Sequence, residues 1–312
     1  MAIGRVLKVG TRGSQLALKQ TGIVMEALRR RASGLTLDVH VIKTMGDRMQ
    51  DVSLAQIGGK GAFVKELEEA LLERRIDMAI HSMKDVPALL PEGLVIAAML
   101  EREDPRDVLI SKGNFKLERI PERARIGTGS LRRGSQLKNI YLDVEIVPIR
   151  GNLDTRIRKI ERENLDGIIV AAAGLKRMGW QDRVSQYIPA EIITPAVGQG
   201  ALGVEVRKDD DVREIVSVLN HETTSIEVSA ERAFLGVFGA GCQVPVAAHG
   251  KIDRDSITVT GLVASLDGRM LVKDRVRGPV AEAENMGRIL AERILSAGGR
   301  QIIDEVYRRL SH

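Results

Sequence analysis

Cysteine is almost missing from this sequence, since Cys242 is the only one in 312 residues. A single cysteine cannot close a disulfide within the chain, which excludes the disulfide-stabilised class of small secreted proteins and favours a reducing compartment. Long apolar runs are also missing, and stretches such as residues 168–173 are far too short to span a bilayer. Residues 1–10 lack the apolar core of a signal peptide. We therefore expect a cytoplasmic protein without a membrane anchor.

Aromatic residues are scarce, at 3% of the chain, although the formal net charge is +5 and the isoelectric point is about 9.4. A basic chain can bind nucleic acid, but single-strand binders need aromatic side chains on which bases stack. Zinc-finger spacing and long basic runs are missing as well. The composition therefore argues against nucleic acid and favours a small or oligomeric anionic ligand.

Histidine offers no obvious catalytic or metal chemistry. The chain has five histidines, and none has a spacing typical of metal ligands. No His/Asp pair suggests a serine or cysteine hydrolase. We expect neither a metal site nor hydrolase chemistry of that kind.

What is abundant is aliphatic sequence, arranged as alternating strand-like and helix-like stretches over the first two-thirds of the chain. This alternation is typical of α/β domains. The tail has three strand-like stretches followed by two helices, which predicts a small α+β domain. We expect domain 1 to span residues 1–100 and to be completed by 200–218, with domain 2 at 101–199 and domain 3 at 219–312. Nothing in the sequence demands more than a monomer.

Three loop segments are of functional interest. Residues 46–61 are polar and glycine-rich without clear periodicity, which favours a mobile lid. The charged stretch 101–107 and residues 194–200 are candidate hinges. Gly198 to Gly203 formally match a dinucleotide-binding fingerprint, which requires a strand before it and a helix after it. Because residues 202–206 have a strand pattern instead, we reject the fingerprint.

Cys242 lies in the segment Phe238-Gly239-Ala240-Gly241-Cys242-Gln243-Val244-Pro245, whose glycines and proline favour a loop. A lone cysteine usually behaves as a small buried hydrophobic residue. A loop-borne thiol with little apolar company can instead act as a nucleophile or a covalent attachment point. From the loop alone, both interpretations stay open.

Arginines recur where predicted strands end and helices begin: Arg12 with Ser14, Arg132 with Arg133, and Arg150 with Arg156. Helix N-termini attract anions, and the guanidinium fork matches carboxylates. A single arginine of this kind is usually a solvated surface residue, but three clusters at equivalent places indicate a ligand with many negative charges. Asp85 follows a buried strand, which favours the same cleft; the alternative is a turn carboxylate paired with Lys84.

Several motifs together resemble the porphobilinogen deaminase (hydroxymethylbilane synthase) family over almost the whole length. They are residues 11–17 (TRGSQLA), 44–47 (TMGD), 59–63 (GKGAF), 81–87 (HSMKDVP), 104–107 (DPRD), 127–133 (GTGSLRR), 150–152 (RGN) and 241–245 (GCQVP). The family more often has glycine where this chain has Ala240, and alanine would cost about 1 kcal/mol there if the position needs a positive φ.

The resemblance implies two α/β domains similar to periplasmic binding proteins, a third cofactor-carrying domain, and a transferase of tetrapyrrole (heme) biosynthesis. In that reaction four porphobilinogen molecules join head to tail with loss of ammonia, giving hydroxymethylbilane. The primer is a dipyrromethane bound to the cysteine through a thioether. Each pyrrole carries an acetate and a propionate, so the growing chain is a polyanion. Deamination leaves an azafulvene cation that a carboxylate such as Asp85 can stabilise.

The resemblance also assigns roles to individual residues, with Asp85 as the catalytic carboxylate. The cofactor is expected to contact Cys242 (covalently), Asp85, Lys84, Thr128, Ser130, Arg132, Arg133, Arg150 and Arg156. The substrate is expected to contact Arg12, Ser14, Lys60, Phe63, Asn152 and Gln199.

The competing class is a two-domain anion-binding module, because a shared fold does not settle function. A binding module has no reason to carry a covalent adduct on Cys242. The mass of the intact protein would therefore separate an enzyme from a binding module.

Overall fold

The computed structural model describes residues 6–32, 34–48, 61, 63–239 and 244–310, arranged as three β-sheets with helices packed on them. Of the sequence features above, residues 49–60 of the predicted lid and residues 240–243 around Cys242 lie outside the described residues.

The first sheet has five strands in the order β2-β1-β3-β10-β4. Its strands are β1 (Val6–Thr11), β2 (Thr36–Val41), β3 (Met78–Ser82), β4 (Leu94–Met99) and β10 (Leu202–Arg207). Strand β1 pairs in parallel with β2 and β3, whereas β10 runs antiparallel to both β3 and β4. Because β10 comes from late in the chain, the chain must return to this sheet after building the second one.

The second sheet repeats this plan with the order β7-β6-β8-β5-β9. Its strands are β5 (Asp107–Ser111), β6 (Arg125–Gly127), β7 (Glu145–Val147), β8 (Gly167–Ala171) and β9 (Gln186–Ile188). Strand β6 pairs in parallel with β7 and β8, and β5 runs antiparallel to β8 and β9. All five residues of β8 are buried, which explains their unbroken apolar sequence.

The third sheet is an antiparallel meander of β11 (Val246–Asp253), β12 (Ser256–Ala264) and β13 (Leu271–Pro279). Its helices are α8 (Glu222–Val237), α9 (Ala283–Ile294) and α10 (Arg300–Leu310), with a π-helical segment at Leu295–Gly299 before α10. One face of β12 packs on α8 and α9, and Phe234, Val259 and Leu290 are fully buried there.

Helices cover the first two sheets. They are α1 (Gln15–Arg31), α2 (Met45–Arg48), α3 (Lys65–Leu72), α4 (Leu131–Ile140), α5 (Leu153–Arg162), α6 (Ala172–Met178) and α7 (Val212–Ser217). In α1, the residues Thr21, Val24, Met25 and Leu28 are buried at spacings of three, one and three, the pattern of a one-sided amphipathic helix. Ser14 caps this helix by accepting the Ala17 N–H at 3.2 Å.

The chain crosses between the first two sheets twice, before β5 and before β10. The predicted hinge segments 101–107 and 194–200 coincide with these crossings, except that Asp107 is already the first residue of β5. The third sheet and its helices α8, α9 and α10 are called here the third unit. Arg102 connects both crossings to this unit, because it donates to the Gln199 carbonyl and to both oxygens of Glu231 on α8.

The α/β class and the small third sheet predicted from the sequence are confirmed. Strands β5 and β9 were not predicted, because charged residues and short length hide their pattern. The predicted strand at 168–173 was wrong at its end, since Ala172 and Ala173 begin α6. Residues 46–48, at the start of the predicted lid, belong to the short helix α2, and the lid itself stays a prediction.

Candidate functional site

A cavity of about 360 Å³, called here the central cavity, lies between the first two sheets. Its wall includes most of the predicted site residues: Arg12, Ser14, Phe63, Lys84, Asp85, Ser130, Arg132, Arg133, Arg150, Asn152, Arg156 and Gln199. A volume of this size suits a small-molecule site. The structure thus brings together residues that are up to 187 positions apart in the sequence.

Three helix N-termini form part of this wall. Helix α1 begins after β1 at Ser14, α4 begins after β6 at Ser130, and α5 begins after β7 at Asn152. All three caps line the cavity. Since unpaired N–H groups at a helix N-terminus carry partial positive charge, the cavity favours anions before any side chain is counted.

Side-chain charge reinforces this preference. Among the described residues, seven cationic side chains line the cavity, namely Arg12, Lys84, Arg132, Arg133, Arg150, Arg156 and Arg177, against the three carboxylates of Asp47, Asp85 and Asp154. The donor set matches a ligand that carries several carboxylates.

Lys84 and Asp85 follow β3, the central strand of the first sheet. Strand β3 leads into a one-turn 3₁₀ helix at Met83–Asp85, which directs both side chains to the cavity wall. Burial lowers the pKa of Lys84 to about 8, although the nearby Asp85 opposes the shift. Asp85 has no hydrogen-bond partner among the described residues. Its carboxylate is therefore available to a ligand.

Arg132 and Arg133 already have a carboxylate inside the protein. Arg132 Nη1 lies 2.7 Å from Asp107 Oδ2, and Arg133 Nη2 lies 2.8 Å from Asp107 Oδ1. Burial alone would raise the pKa of Asp107, but the two guanidiniums lower it to about 2. The Gln199 amide also donates to Asp107, at 3.0 Å, and accepts from Arg133. The predicted contact Gln199 is thus part of this buried cluster.

Arg12 is held in the same way from the other side of the cavity. Its Nη2 lies 2.5 Å from Asp47 Oδ1, and its guanidinium stacks 4.3 Å from the centre of the Phe63 ring. Burial raises the pKa of Asp47, but hydrogen bonds from Arg12 and Thr44 outweigh burial, and the net pKa is lowered.

Arg150 and Arg156 differ, because among the described residues neither has a carboxylate within ion-pair distance. Arg156 Nε donates only to the Gly151 carbonyl, at 2.8 Å. Burial, together with repulsion from Arg133 and Arg150, lowers the pKa of Arg156 to about 10. Arg156 is largely desolvated and Arg150 partly so, and the charge of Asp85 acts on Arg156 without forming an ion pair. Cations in this condition are expected to bind an anionic ligand.

Sequence reasoning missed one arginine of this kind and one carboxylate. Arg177 on α6 lines the cavity, donates to the Gly200 carbonyl and has its pKa lowered to about 10 by burial. It lies inside a helix and not at a strand end, so the topological rule could not find it. Asp107 was assigned to a hinge, and only the paired arginines reveal its role.

One described residue among the predicted contacts, Thr128, is not part of the described wall of the central cavity. Thr128 is buried, and its hydroxyl accepts the Ser130 N–H at 3.2 Å, so it supports the α4 cap from behind. Lys60 and Cys242 lie outside the described residues. The described neighbours of Cys242 are informative: Phe238 and Val244 are buried in the core of the third unit, and Val244 also lines the cavity. The described flanks of this loop are therefore apolar, and the expectation that Cys242 itself has little apolar company stays a prediction.

In the described part of the chain, no helix is both long and apolar enough to cross a bilayer. The same residues contain no group of three histidine, cysteine, aspartate or glutamate side chains that could hold a metal ion.

Comparison with known proteins gives consistent matches along the chain. A family model for the dipyromethane cofactor binding domain of porphobilinogen deaminase matches residues 7–214, and the model for its C-terminal domain matches residues 225–296. Porphobilinogen deaminase of Geobacter metallireducens is 52% identical over 97% of this chain and 95% of that protein. The enzyme of Geobacter sulfurreducens is 52% identical over 99% of this chain and 97% of that protein.

Among solved structures, the periplasmic VFT2 domain of Bordetella pertussis BvgS is similar at a TM-score of 0.42 and 12% identity, over 69% of this chain and 85% of that domain. With two family models covering both parts of the chain and close relatives over nearly its full length, the chain belongs to the porphobilinogen deaminase family.

Proposed function

We propose that this chain polymerises four porphobilinogen molecules head to tail, with loss of ammonia, into hydroxymethylbilane. The observation that carries the proposal is the central cavity, whose described wall holds Asp85 together with Arg150 and Arg156, two arginines without an ion pair among the described residues. Porphobilinogen presents two carboxylates and a pyrrole N–H, and the two kinds of wall residue complement these groups.

The residues of the cavity fit a dipyrromethane, which carries four carboxylates. Arg132, Arg133, Arg150 and Arg156, with Lys84 and the Ser130 cap, would hold them. Thr128 would contribute indirectly, by fixing Ser130. When bound, the dipyrromethane supplies the terminal pyrrole carbon to which new units are joined. A thioether to Cys242, two residues before the cavity-lining Val244, would keep it in place and make each condensation effectively intramolecular.

Asp85 would act on the reacting pyrroles. Its carboxylate can accept pyrrole N–H groups and stabilise the positive charge that develops as ammonia leaves. The buried Lys84 beside it adds positive charge for the carboxylates of the cofactor and of the chain that grows on it. In this assignment Asp85 is the catalytic residue.

The incoming porphobilinogen would contact Arg12, Ser14, Phe63, Asn152 and Gln199, together with Lys60. Ser14 and Asn152 cap α1 and α5 at the cavity, so backbone N–H groups would share in binding a carboxylate. Because Gln199 is engaged by Asp107 and Arg133, it would act by orienting Arg133.

We also retain the domain division 1–100 with 200–218, 101–199 and 219–312, since the two crossings of the chain fall at its boundaries. We also propose that the protein is cytoplasmic and monomeric and that it does not bind nucleic acid. Its support is the single cysteine and the shortage of aromatic side chains.

The mass of the intact protein tests this function against the anion-binding alternative. The purified chain should be heavier than its sequence by two linked pyrrole units, and Cys242→Ala should lack that excess. An unmodified and fully active wild type would contradict the proposal.

The role of Asp85 is tested by Asp85→Asn, which is nearly isosteric. Turnover should fall by about 10²-fold or more, the effect of losing one electrostatic stabiliser, while the fold survives. Asp154→Asn is the matched control, since Asp154 also lines the cavity but is half exposed and forms an ion pair with Arg158. Near-normal turnover in Asp85→Asn would overturn the assignment.

A further inference from the structure

Three buried titratable side chains lie behind the catalytic turn, between α3 and the first sheet. His81 is on β3, Glu205 on β10 and Glu68 on α3, and their exposures are 4%, 0% and 7%. His81 Nε2 lies 2.9 Å from Glu205 Oε2. None of the three is part of the described wall of the central cavity, so ligand binding does not account for them.

The hydrogen bonding of this cluster is incomplete. One oxygen of Glu68 and one of Glu205 are buried without a hydrogen-bond partner in the described part of the chain. Two buried carboxylates that repel each other resist ionising together. Burial, followed by the charge of Glu205, raises the pKa of Glu68 to about 7, and His81 only partly opposes this shift. Near neutral pH the cluster therefore gains and loses a proton.

Few other charges act on Glu68. Glu69, the next residue of α3, adds a small repulsion. Arg207 of β10 is engaged at the far end of α3, where it donates to the carbonyls of Leu71 and Ile76. Arg232 of α8 lies near Glu205, whose charge favours the charged form of this otherwise desolvated arginine.

Both ends of the Met83–Asp85 turn connect to this cluster. His81 is two residues before the turn, on the strand that leads into it. After the turn, Arg232 donates to the carbonyls of Val86, at 3.3 Å, and Ala88, at 3.0 Å. Glu205 thus faces both the histidine that precedes the turn and the arginine that holds the segment following it.

We propose that Glu68, His81 and Glu205 form a proton-sharing cluster that positions the Met83–Asp85 turn from behind the cavity. The three are positioning residues, because they act on the substrate only through Asp85, and the inference therefore rests on the proposed function. Loss of the shared proton places a second negative charge beside Glu205. The ionised Glu68 then competes with Glu205 for His81 and Arg232. This competition weakens the contacts that hold the chain on both sides of the turn. The cluster thus controls kcat and leaves substrate affinity almost unchanged.

The first test is the pH profile of the holoenzyme with Glu68→Gln, in which the side chain imitates the protonated carboxyl and cannot ionise. The wild type should lose kcat as the pH rises through about 7, and Glu68→Gln should remove that loss or move it upward by about one pH unit. Glu69→Gln, a half-exposed neighbour on α3, should keep the wild-type profile. Identical profiles for wild type and Glu68→Gln would overturn the proposal.

Glu205→Gln tests the anchoring itself. It keeps an acceptor for His81 but removes the charge facing Arg232, so kcat should fall by about tenfold with KM changed by less than about threefold. A raised KM with unchanged kcat would contradict a positioning role. If Glu205→Gln fails to fold, the Glu68→Gln profile still decides the question.

Infrared spectroscopy separates this inference from the proposed function. The carbonyl stretch of a buried protonated carboxyl should be present at about pH 6, fade as the pH passes about 7 and be missing in Glu68→Gln, whatever the protein's turnover. A wild type without this band would refute the cluster even if Asp85→Asn behaves as proposed. Conversely, near-normal turnover of Asp85→Asn would refute the catalytic assignment while leaving the band in place.

Discussion

The central cavity contains two kinds of arginine that the sequence does not distinguish. Arg12, Arg132 and Arg133, here called the paired arginines, each have a protein carboxylate at 2.5–2.8 Å. The unpaired arginines, Arg150, Arg156 and Arg177, have none within ion-pair distance among the described residues. Arginines of the same cavity therefore differ in what they contribute to the stability of the fold and to the binding of a ligand.

The difference follows from where the carboxylates lie. Asp107 begins β5, which lies between β8 and β9 in the second sheet, and it neutralises much of the charge that Arg132 and Arg133 bring into the interior. Within the described part of the chain, the unpaired arginines form no ion pair, although the charges of Asp85 and Glu103 act on Arg156 and Arg177. They therefore leave positive charge for a ligand to satisfy. We infer that the paired arginines hold the cavity in shape and that the unpaired ones supply most of the binding free energy for carboxylates.

The largest expected effect is on stability, in Asp107→Ala. Removing a carboxylate from a buried cluster leaves Arg132 and Arg133 without their counter-charge, which costs about 3–5 kcal/mol. The free energy of unfolding by urea measures this loss. Asp154→Ala, which removes a half-exposed carboxylate of the same cavity, should cost less than about 1 kcal/mol.

The pH dependence of that loss has a defined sign. Because the folded pKa of Asp107 is about 2, below the ordinary aspartate value of 3.8, its stabilisation is present above pH 4 and is lost as the pH falls through about 2. The stability difference between wild type and Asp107→Ala should therefore shrink in that window. A constant difference from pH 7 to 2 would show that packing, and not charge, holds the cluster.

The next effect is on catalysis, in Arg150→Leu and Arg156→Leu. Each variant removes a charged hydrogen-bond donor from the ligand, worth about 1.5–3 kcal/mol, so kcat/KM should fall by about 10-fold to 100-fold. Arg156→Lys should also be damaged, since lysine lacks the planar fork. The mass distribution after limited substrate should differ among the variants. Wild-type turnover together with a wild-type mass distribution in all of these variants would contradict the division into paired and unpaired arginines.

The smallest effect is a pH dependence of binding through Lys84. Since burial lowers its pKa to about 8, Lys84 loses its positive charge before exposed lysines do. Substrate KM should rise by a factor of about 3–10 above that pH, and Lys84→Gln should show a raised KM that no longer changes there. An unchanged wild-type KM between pH 7 and 9.5 would remove Lys84 from the binding wall.

The sequence could predict the α/β order, the strand ends that carry Arg12, Arg132 and Arg150, and the position of Asp85. These follow from local periodicity and from the rule that ligands gather at the carboxyl ends of strands. The expected domain division already placed residues 200–218 in domain 1, but the sequence could not predict that β10 lies beside β3, which brings Glu205 to His81. Pairings between residues 124 positions apart leave no local pattern.

The same limit explains the two classes of arginine. Arg132 and Arg156 have similar sequence settings, each close to a helix start after a strand. Only the placement of β5 beside β8 brings Asp107 to Arg132 and not to Arg156. Thr128 shows the converse: its motif favours a ligand contact, but its hydroxyl is used by the Ser130 N–H.

The melting temperature of Arg156→Leu, measured beside that of Arg133→Leu, tests this division most directly. Arg156→Leu removes a desolvated charge repelled by Arg133 and Arg150, so the protein should keep or raise its melting temperature while losing activity. Arg133→Leu breaks the contacts with Asp107 and Gln199, so it should lower the melting temperature by several degrees. An equal loss of melting temperature in the two variants would contradict the account.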